Sequence, residues 1–537
     1  MLDNFKHPAI FLLLALGLVS LRQRFVQSPG HWPERFIRAA ASGLVVIYLG
    51  LMLIYLTKPN YWDPIEPSIT TVAQQLLQGR QIYHALEAAP RFSLLYGPAV
   101  FIGNAIGLAV IDNPILASKV VGGVCASVTL FAVYQILRRN FSQRLIYAGL
   151  GLFLVLALWQ EHYTYWNRAD SLLLASTSLG WLAAVSRRRW WRWLGLSLAI
   201  GVAINTKIYA PLFFLPLLIL MCLKRGYRDC VPPLVLAGFW AGLPFVLFPQ
   251  LFSVNNYLTW LLDVGSLPLS GMLLARNFEY AVLLAFWPVA LIVAAAIGIR
   301  PVRHWLRLVL PLAVTVLCVL LLVIIGAHPA AGPHHLIPLM PSIVYLAIEL
   351  TVRIHDRLRQ SPVWLALKST ALAVLLPAWI SAAAVMLLVG QVEIVFYDFV
   401  LPDEYSIQTD LLDLSGQYRD RSVQMGYGNT DSHRVTYFRP WLYTDQTPYL
   451  LDSMAMMDMQ SVGVAIPAAT VAVFTTQQFD IWLIPRGSQP FSMSNLWFAS
   501  RPPLFSTALQ HAFLNNYHLV HRSAFFDVWQ ANRLDNQ

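Results

Sequence analysis

Four short stretches hold residues whose types and spacing suit chemistry. In "YWDPIEPS" (61–68), Asp63 and Glu66 lie three apart, flanked by Pro64 and Pro67. The prolines fix backbone dihedrals and remove donors, so the stretch reads as a stiff, non-helical loop, with a helix starting near Ser68 and ending at Gly79. A carboxylate drawn out of water gains proton affinity and becomes a general base or a metal ligand. The competing reading is helix-end electrostatics. In "EHYTYWNRADS" (161–171), Glu161, His162, Arg168 and Asp170 crowd one connection. Asp170, Glu161 and His162 are the candidates if a divalent metal is held here, and an Arg168–Asp170 ion pair is the plainer alternative. "INTKIYAP" carries Lys207 alone in an apolar setting, where a lysine requires an anion, either a protein carboxylate or a ligand phosphate. "HPAAGPHHLIPLMP" carries His328, His334 and His335 before an apolar run. Such histidines bind metal or donate to phosphate, or simply sit at an interface. Together these residues suit a substrate with both a phosphate and a hydroxyl that must lose its proton.

The elements that carry them are membrane elements. The chain has 537 residues, of which 57% are hydrophobic and 12% charged. Soluble domains carry roughly 25% charged residues. Apolar runs fall at about 37–57, 114–137, 145–161, 171–186, 193–223, 231–250, 280–299, 308–326, 335–352 and 364–390. The run 193–223 exceeds one span and breaks near "NTK", giving eleven spans, or twelve with "AIFLLLALGLVSL" near the N-terminus. The fold class expected is an α-helical polytopic membrane protein with a C-terminal α/β domain outside the cytoplasm. Its parts are an N-terminal anchor and cytoplasmic segment (1–36), a transmembrane catalytic domain (37–390) and an extracytoplasmic domain (391–537).

The net charge of +10 does not indicate a nucleic-acid partner. "RRNFSQR", "RRRWWR", "KRGYR", "RPVRHWLR" and "RIHDRLR" hold sixteen Lys and Arg, and all fall on one side of the membrane by the span count. The positive-inside rule makes that side cytoplasmic. The four motifs then face outward, away from the cytoplasm. The four cysteines lie in or beside apolar runs with no metal spacing, and read as packing residues.

The order of motifs is an apolar span, an outer loop with an acid, "LLQGRQIY", "YGP", a span ending in basic residues, "RAD", a broken pair with "NTK", and "HHLIPLMP". This order resembles the polytopic GT-C glycosyltransferases, among them bacterial relatives of the lipid A aminoarabinose transferases and the protein O-mannosyltransferases. It covers about residues 37–390. The resemblance implies a sugar moved, with inversion, from a polyprenyl-phosphate carrier to a glycan, lipid or protein acceptor on the outer face. Glu66 matches the second acid of that family's first-loop Asp-Glu pair, and the family's Asp falls on Ile65. The base is then Asp63, reaching in from two residues earlier, or Glu66 alone. Arg168-Ala169-Asp170 matches the family's Arg-Pro-Asp, Lys207 a lysine after the broken helix, and His335 a polar position near the carrier phosphate. Arg168, Lys207, His335 and His334 are the donor-phosphate candidates, Asp63, Glu66 and Asp170 the catalytic ones. No cofactor is required by the motifs, and a divalent metal is allowed. The alternative function is a transporter or flippase of a lipid-linked or anionic solute, which places its ionisable groups nearer mid-membrane.

Overall fold

The computed structural model describes residues 32–160, 162–282, 284, 306–329, 331–358, 403–443 and 447–533. The N-terminal apolar run, the run at 364–390 and Glu161 lie outside them, as does nearly all of 280–299.

The membrane part is an up-and-down array of helices. Trp32–Thr57 leads to an interfacial helix, Ile65–Leu77, and then to Pro98–Leu108, Pro114–Asn140, Gln143–Trp159, Ala169–Ala184, Arg189–Ile204, Pro211–Arg225 and Val231–Leu247. Leu306–Ile325 and Met340–Leu358 follow, joined by a 3-10 turn at Pro333–Leu339. Four spans among the described residues are long and apolar enough to cross a membrane: Ile37–Thr57, Pro114–Asn140, Tyr227–Leu247 and Pro333–Val352. The chain is thus a multi-pass membrane protein. Several other helices are shorter than a full span: the 16 residues of Ala169–Ala184 reach only about 24 Å at 1.5 Å per residue. The run 193–223 is two helices, as expected, and the break spans Asn205 to Ala210.

Two glycines set how closely the site-bearing connections pack. Gly97 of "YGP" lies against the turn at Asn205: a Cβ added there would stand 2.3 Å from the Asn205 carbonyl oxygen. The gap is closed by backbone bonds from Gly97 N to Thr206 O and from Ala99 N to Asn205 O. Gly122 does the same for the 160–168 connection, where a Cβ would meet the carbonyls of Tyr165 and Trp166 at 2.4 Å.

One sequence expectation is corrected here. The helix after "YWDP" begins at Ile65, so the stretch is not a loop as far as Ser68. Pro64 takes the position before the first turn, and Pro67 is tolerated because first-turn amides have no intrahelical acceptor.

From Asp403 onward the chain forms the α/β domain. Its four-stranded sheet has the order β1-β2-β4-β3, with β1 at Val423–Met425, β2 at Ile481–Pro485, β3 at Tyr517–Arg522 and β4 at Phe526–Ala531. β1 runs parallel to β2, and the other pairs are antiparallel, with Trp482 opposite Trp529. β2 is buried along its whole length, with Trp482 packed on Phe474 of helix Ala468–Thr475 and Phe513 of helix Thr507–Asn516. "DSHRVTYFRPWL" forms a 3-10 helix, His433–Trp441.

That 3-10 helix clamps the domain to the membrane part. Arg439 Nη2 donates to Ser68 Oγ at 2.6 Å and to the Pro64 carbonyl at 3.4 Å. Asp452 balances its charge at 3.1 Å and also accepts from Tyr449. Both members of the ion pair are buried. Gln74 and Gln78 donate to the carbonyls of Pro440 and Tyr443 on the same face.

Gly97→Ala is expected to destabilise the fold by about 1–3 kcal/mol through overpacking. Gly103→Ala, whose Cβ would make an ordinary 3.7 Å contact with Val121, is the neutral control. Thermal unfolding of both in one detergent compares them.

Candidate active site

A cavity of about 670 Å³ opens where the site-bearing connections meet the C-terminal domain. That is the size range of small-molecule sites. Its polar lining includes Asp63, Arg168, Lys207, Arg276, His334 and His335. The C-terminal domain contributes Met454, Asp458, Leu496 and Trp497.

The centre is a chain of charges drawn from three connections. Arg168 Nη1 donates to Asp63 Oδ2 at 2.8 Å. Arg168 Nε lies 3.7 Å from Asp170 Oδ2. Lys207 Nζ donates to Asp170 Oδ1 at 2.8 Å. Arg168, Asp170 and Lys207 are all buried, while Asp63 is 20% exposed and faces the cavity. Arg168 is the hub. It precedes helix Ala169–Ala184 in extended conformation, lies over the Tyr163 ring at 5.1 Å, and has His334 Nε2 at 3.4 Å from its Nη2.

The adjacent histidines serve different neighbours. His334 stacks on Tyr163 with ring centroids 4.8 Å apart. His335 stacks on Tyr209, whose hydroxyl is 3.0 Å from His335 Nδ1. The 3-10 turn lets both rings line one cavity while stacking on different connections, Tyr163 in 160–168 and Tyr209 in the 205–210 break.

Of the candidate carboxylates, Asp63 lines the cavity, Asp170 sits behind Arg168 and Lys207, and Glu66 is buried out of reach. Glu66 accepts the Tyr55 hydroxyl and the backbone amides of Trp62 and Asp63 at 3.0 and 3.1 Å. It therefore holds the turn that presents Asp63. Asp63 completes the turn by accepting the Ile65 amide at 2.9 Å. Burial pushes the Glu66 carboxyl from 4.5 to about 7, against the pull of Lys119 and the Tyr55 hydrogen bond. Lys119 in turn donates to the carbonyls of Tyr55, Lys58 and Asn60, which closes the end of the first helix.

His162 does not join the others. Its ring stacks on Trp166 at 4.2 Å and edges onto Trp62 at 4.3 Å, away from the cavity. With Asp170 engaged by Lys207, the described members of the expected metal set do not meet. Among the described residues no three His, Cys, Asp or Glu side chains gather.

Three cavity residues went unread in the sequence. Arg276 is the lone cation in "GMLLARNFEY", and a cation beside an apolar run is a usable signal. Asp458 is the lone acid in "SMAMMDMQS", which gives the same signal more weakly. Tyr96 of "YGP" carries no signal of its own, yet it lies in the electrostatic reach of Arg168, Asp170, Asp63 and Asp458 together.

Residues 97–251 match the family model described as dolichyl-phosphate-mannose-protein mannosyltransferase. Arg168, Asp170 and Lys207 fall inside that segment, and Asp63, His334 and His335 outside it. The fold is similar to ArnT from Cupriavidus metallidurans solved with undecaprenyl phosphate bound, at 16% identity and a TM-score of 0.50, covering 91% of this chain and 98% of that one. The apo state of the same protein gives 15% identity and a TM-score of 0.53, with the same coverage. No curated protein matches in sequence. The chain is thus a multi-pass membrane protein with a fold similar to that of ArnT, and its segment 97–251 is similar to the mannosyltransferase family.

A buried acid whose pKa is raised binds its proton more tightly in the folded state. Stability therefore falls as pH rises from about 4.5 to about 7, by on the order of 3 kcal/mol. Glu66→Gln is expected to flatten that decline, measured as unfolding midpoints at pH 5 and pH 7.5.

Proposed function

We propose that the protein transfers a sugar from a polyprenyl-phosphate carrier to a hydroxyl acceptor on the outer face of a bacterial inner membrane, with inversion. The observation that carries this reading is the charge chain at the cavity: a carboxylate of the membrane part, Asp63, presented to the cavity beside cations drawn from several connections.

The step balances as a single displacement. The acceptor oxygen attacks the anomeric carbon while its proton passes to Asp63. The bond from the anomeric carbon to the phosphate oxygen breaks, and the carrier phosphate leaves with the electron pair. Attack opposite the leaving group inverts the anomeric centre. The growing phosphate charge is stabilised by Lys207, Arg276 and the histidine pair. Arg168 orients Asp63 through its hydrogen bond, and Asp170 keeps Arg168 and Lys207 in place.

The family model names a polyprenyl-phosphate sugar enzyme, and the similar ArnT holds undecaprenyl phosphate. Both support the donor class. The basic connections support the sidedness: Arg189 and Arg192 pair with Asp229 at the far end of the helices from the cavity. A lipid-bound donor also accounts for an active carboxylate at the membrane edge.

The test is release of carrier phosphate from a panel of polyprenyl-phosphate monosaccharides by purified protein. Wild type is expected to turn over at least one donor. Asp63→Asn should lose about a hundredfold or more, and Lys207→Ala a similar factor. Glu66→Gln should keep most of the rate near neutral pH. A silent Asp63→Asn beside a dead Glu66→Gln reverses the assignment, and no release from any donor overturns the reading.

A further inference from the structure

The cavity wall formed by the C-terminal domain has a different chemistry from the rest. The membrane helices and their connections supply cations. The domain supplies a carboxylate, Asp458, and an indole, Trp497. A phosphate is repelled from that wall, so something uncharged and rich in hydroxyls fits it.

The pair is built, not incidental. Asp458 lies in helix Ser453–Ser461, whose first turn is capped by Asp452, accepting the amides of Met454 and Ala455. Asp452 is also the partner of Arg439, so this helix is tied to the clamp that holds the Asp63 turn. Trp497 is carried on a loop pinned to the same helix. The Asn495 side chain is fully buried and donates to the Met457 carbonyl at 3.2 Å and to Gln460 Oε1 at 2.9 Å. Its own oxygen accepts the Trp497 amide at 2.9 Å. The indole Nε1 then donates to Asp458 Oδ1 at 3.2 Å. This bond fixes the angle between the ring and the carboxylate and leaves the second carboxylate oxygen for a ligand. Both side chains remain half-buried at the cavity.

We propose that Asp458 and Trp497 form the acceptor subsite and that the acceptor is a carbohydrate, its ring laid on the Trp497 face and a hydroxyl donated to Asp458. The proposal rests on the transferase reading above. A sugar ring has an apolar C–H face that buries well on an indole, and its hydroxyls donate to carboxylates in short, charge-assisted bonds. Burial pushes Asp458 up to about 7, which fits a carboxyl held from bulk water and free of a cation that would compete for the hydroxyl. Asp63 lines the same cavity as Asp458 and Trp497, so a sugar on this wall has the base within the same small space.

Saturation-transfer NMR on the full-length protein in nanodiscs tests this. The probes are methyl glycosides of glucose, galactose, mannose and N-acetylglucosamine, with glycerol as the control polyol. Undecaprenyl phosphate binding is measured on the same samples. Ring-proton saturation is expected for at least one glycoside with wild type, but not for glycerol. It should fall about fivefold or more in Trp497→Ala, the scale of one lost aromatic contact, and recover in Trp497→Phe. Asp458→Asn, a near-isosteric change, should weaken it as well and decides the matter if Trp497→Ala does not fold. No saturation by any glycoside, or equal saturation in wild type and Asp458→Asn, overturns the subsite. Glycoside binding without undecaprenyl phosphate binding overturns the transferase reading, and with it the acceptor role, and leaves only a carbohydrate site at Asp458 and Trp497.

Discussion

The structure is organised around four charges that would be costly apart. Asp170 is fully buried and Arg168 and Lys207 nearly so, in a region flanked by lipid-facing helices. An isolated charge there costs several kcal/mol even after relaxation. The cost is met only when the "RAD" connection, the "NTK" break and the Asp63 turn come together. Each of these belongs to a different part of the chain, so the charge chain selects one arrangement of the helices over the many that bury apolar surface equally well. The glycines at 97 and 122 allow the approach, since any side chain there would hold the connections apart.

Around that centre, polar groups divide into those that act at the cavity and those that hold the actors. Asp63 faces the cavity, and Glu66 is buried beneath it, gripping the amides of the same turn. Lys119 closes the preceding helix by donating to three carbonyls. Arg439 reaches from the C-terminal domain to the Pro64 carbonyl and Ser68. A single five-residue turn is therefore fixed from below by the membrane helices and from above by the sheet domain. Each grip removes freedom that a reactive carboxylate would otherwise have to lose on binding substrate. The C-terminal domain is consequently part of the cavity and of its support.

Much of this was legible in the sequence. The membrane class, the break at Asn205, the association of Arg168 with Asp170 and the convergence of the four motifs all followed from hydropathy, charge placement and motif order. These depend on local composition and on the cost of burying charge, both of which are properties of single segments. The division of labour between Asp63 and Glu66 was not legible. Two acids three apart at a helix start are equivalent until the surrounding walls are known. Here Tyr55 and Lys119, contributed by two other helices, surround one of them and leave the other open. His162 read as a ligand because it sits in a charged stretch, but the stacking of Trp62 and Trp166 turns its ring away from the cavity.

By itself, then, the sequence determined that this chain lives in a membrane, which residue types gather at its chemical end, and that a sheet domain follows. Those outcomes are dictated by hydrophobic runs and by charge that cannot stay alone in lipid. Only the tertiary structure decided which carboxylate meets the cavity, that Arg276 and Asp458 join it, and that the C-terminal domain forms one wall. Those outcomes depend on contacts between segments as far apart as Ser68 and Arg439, and no local pattern encodes a contact across that separation.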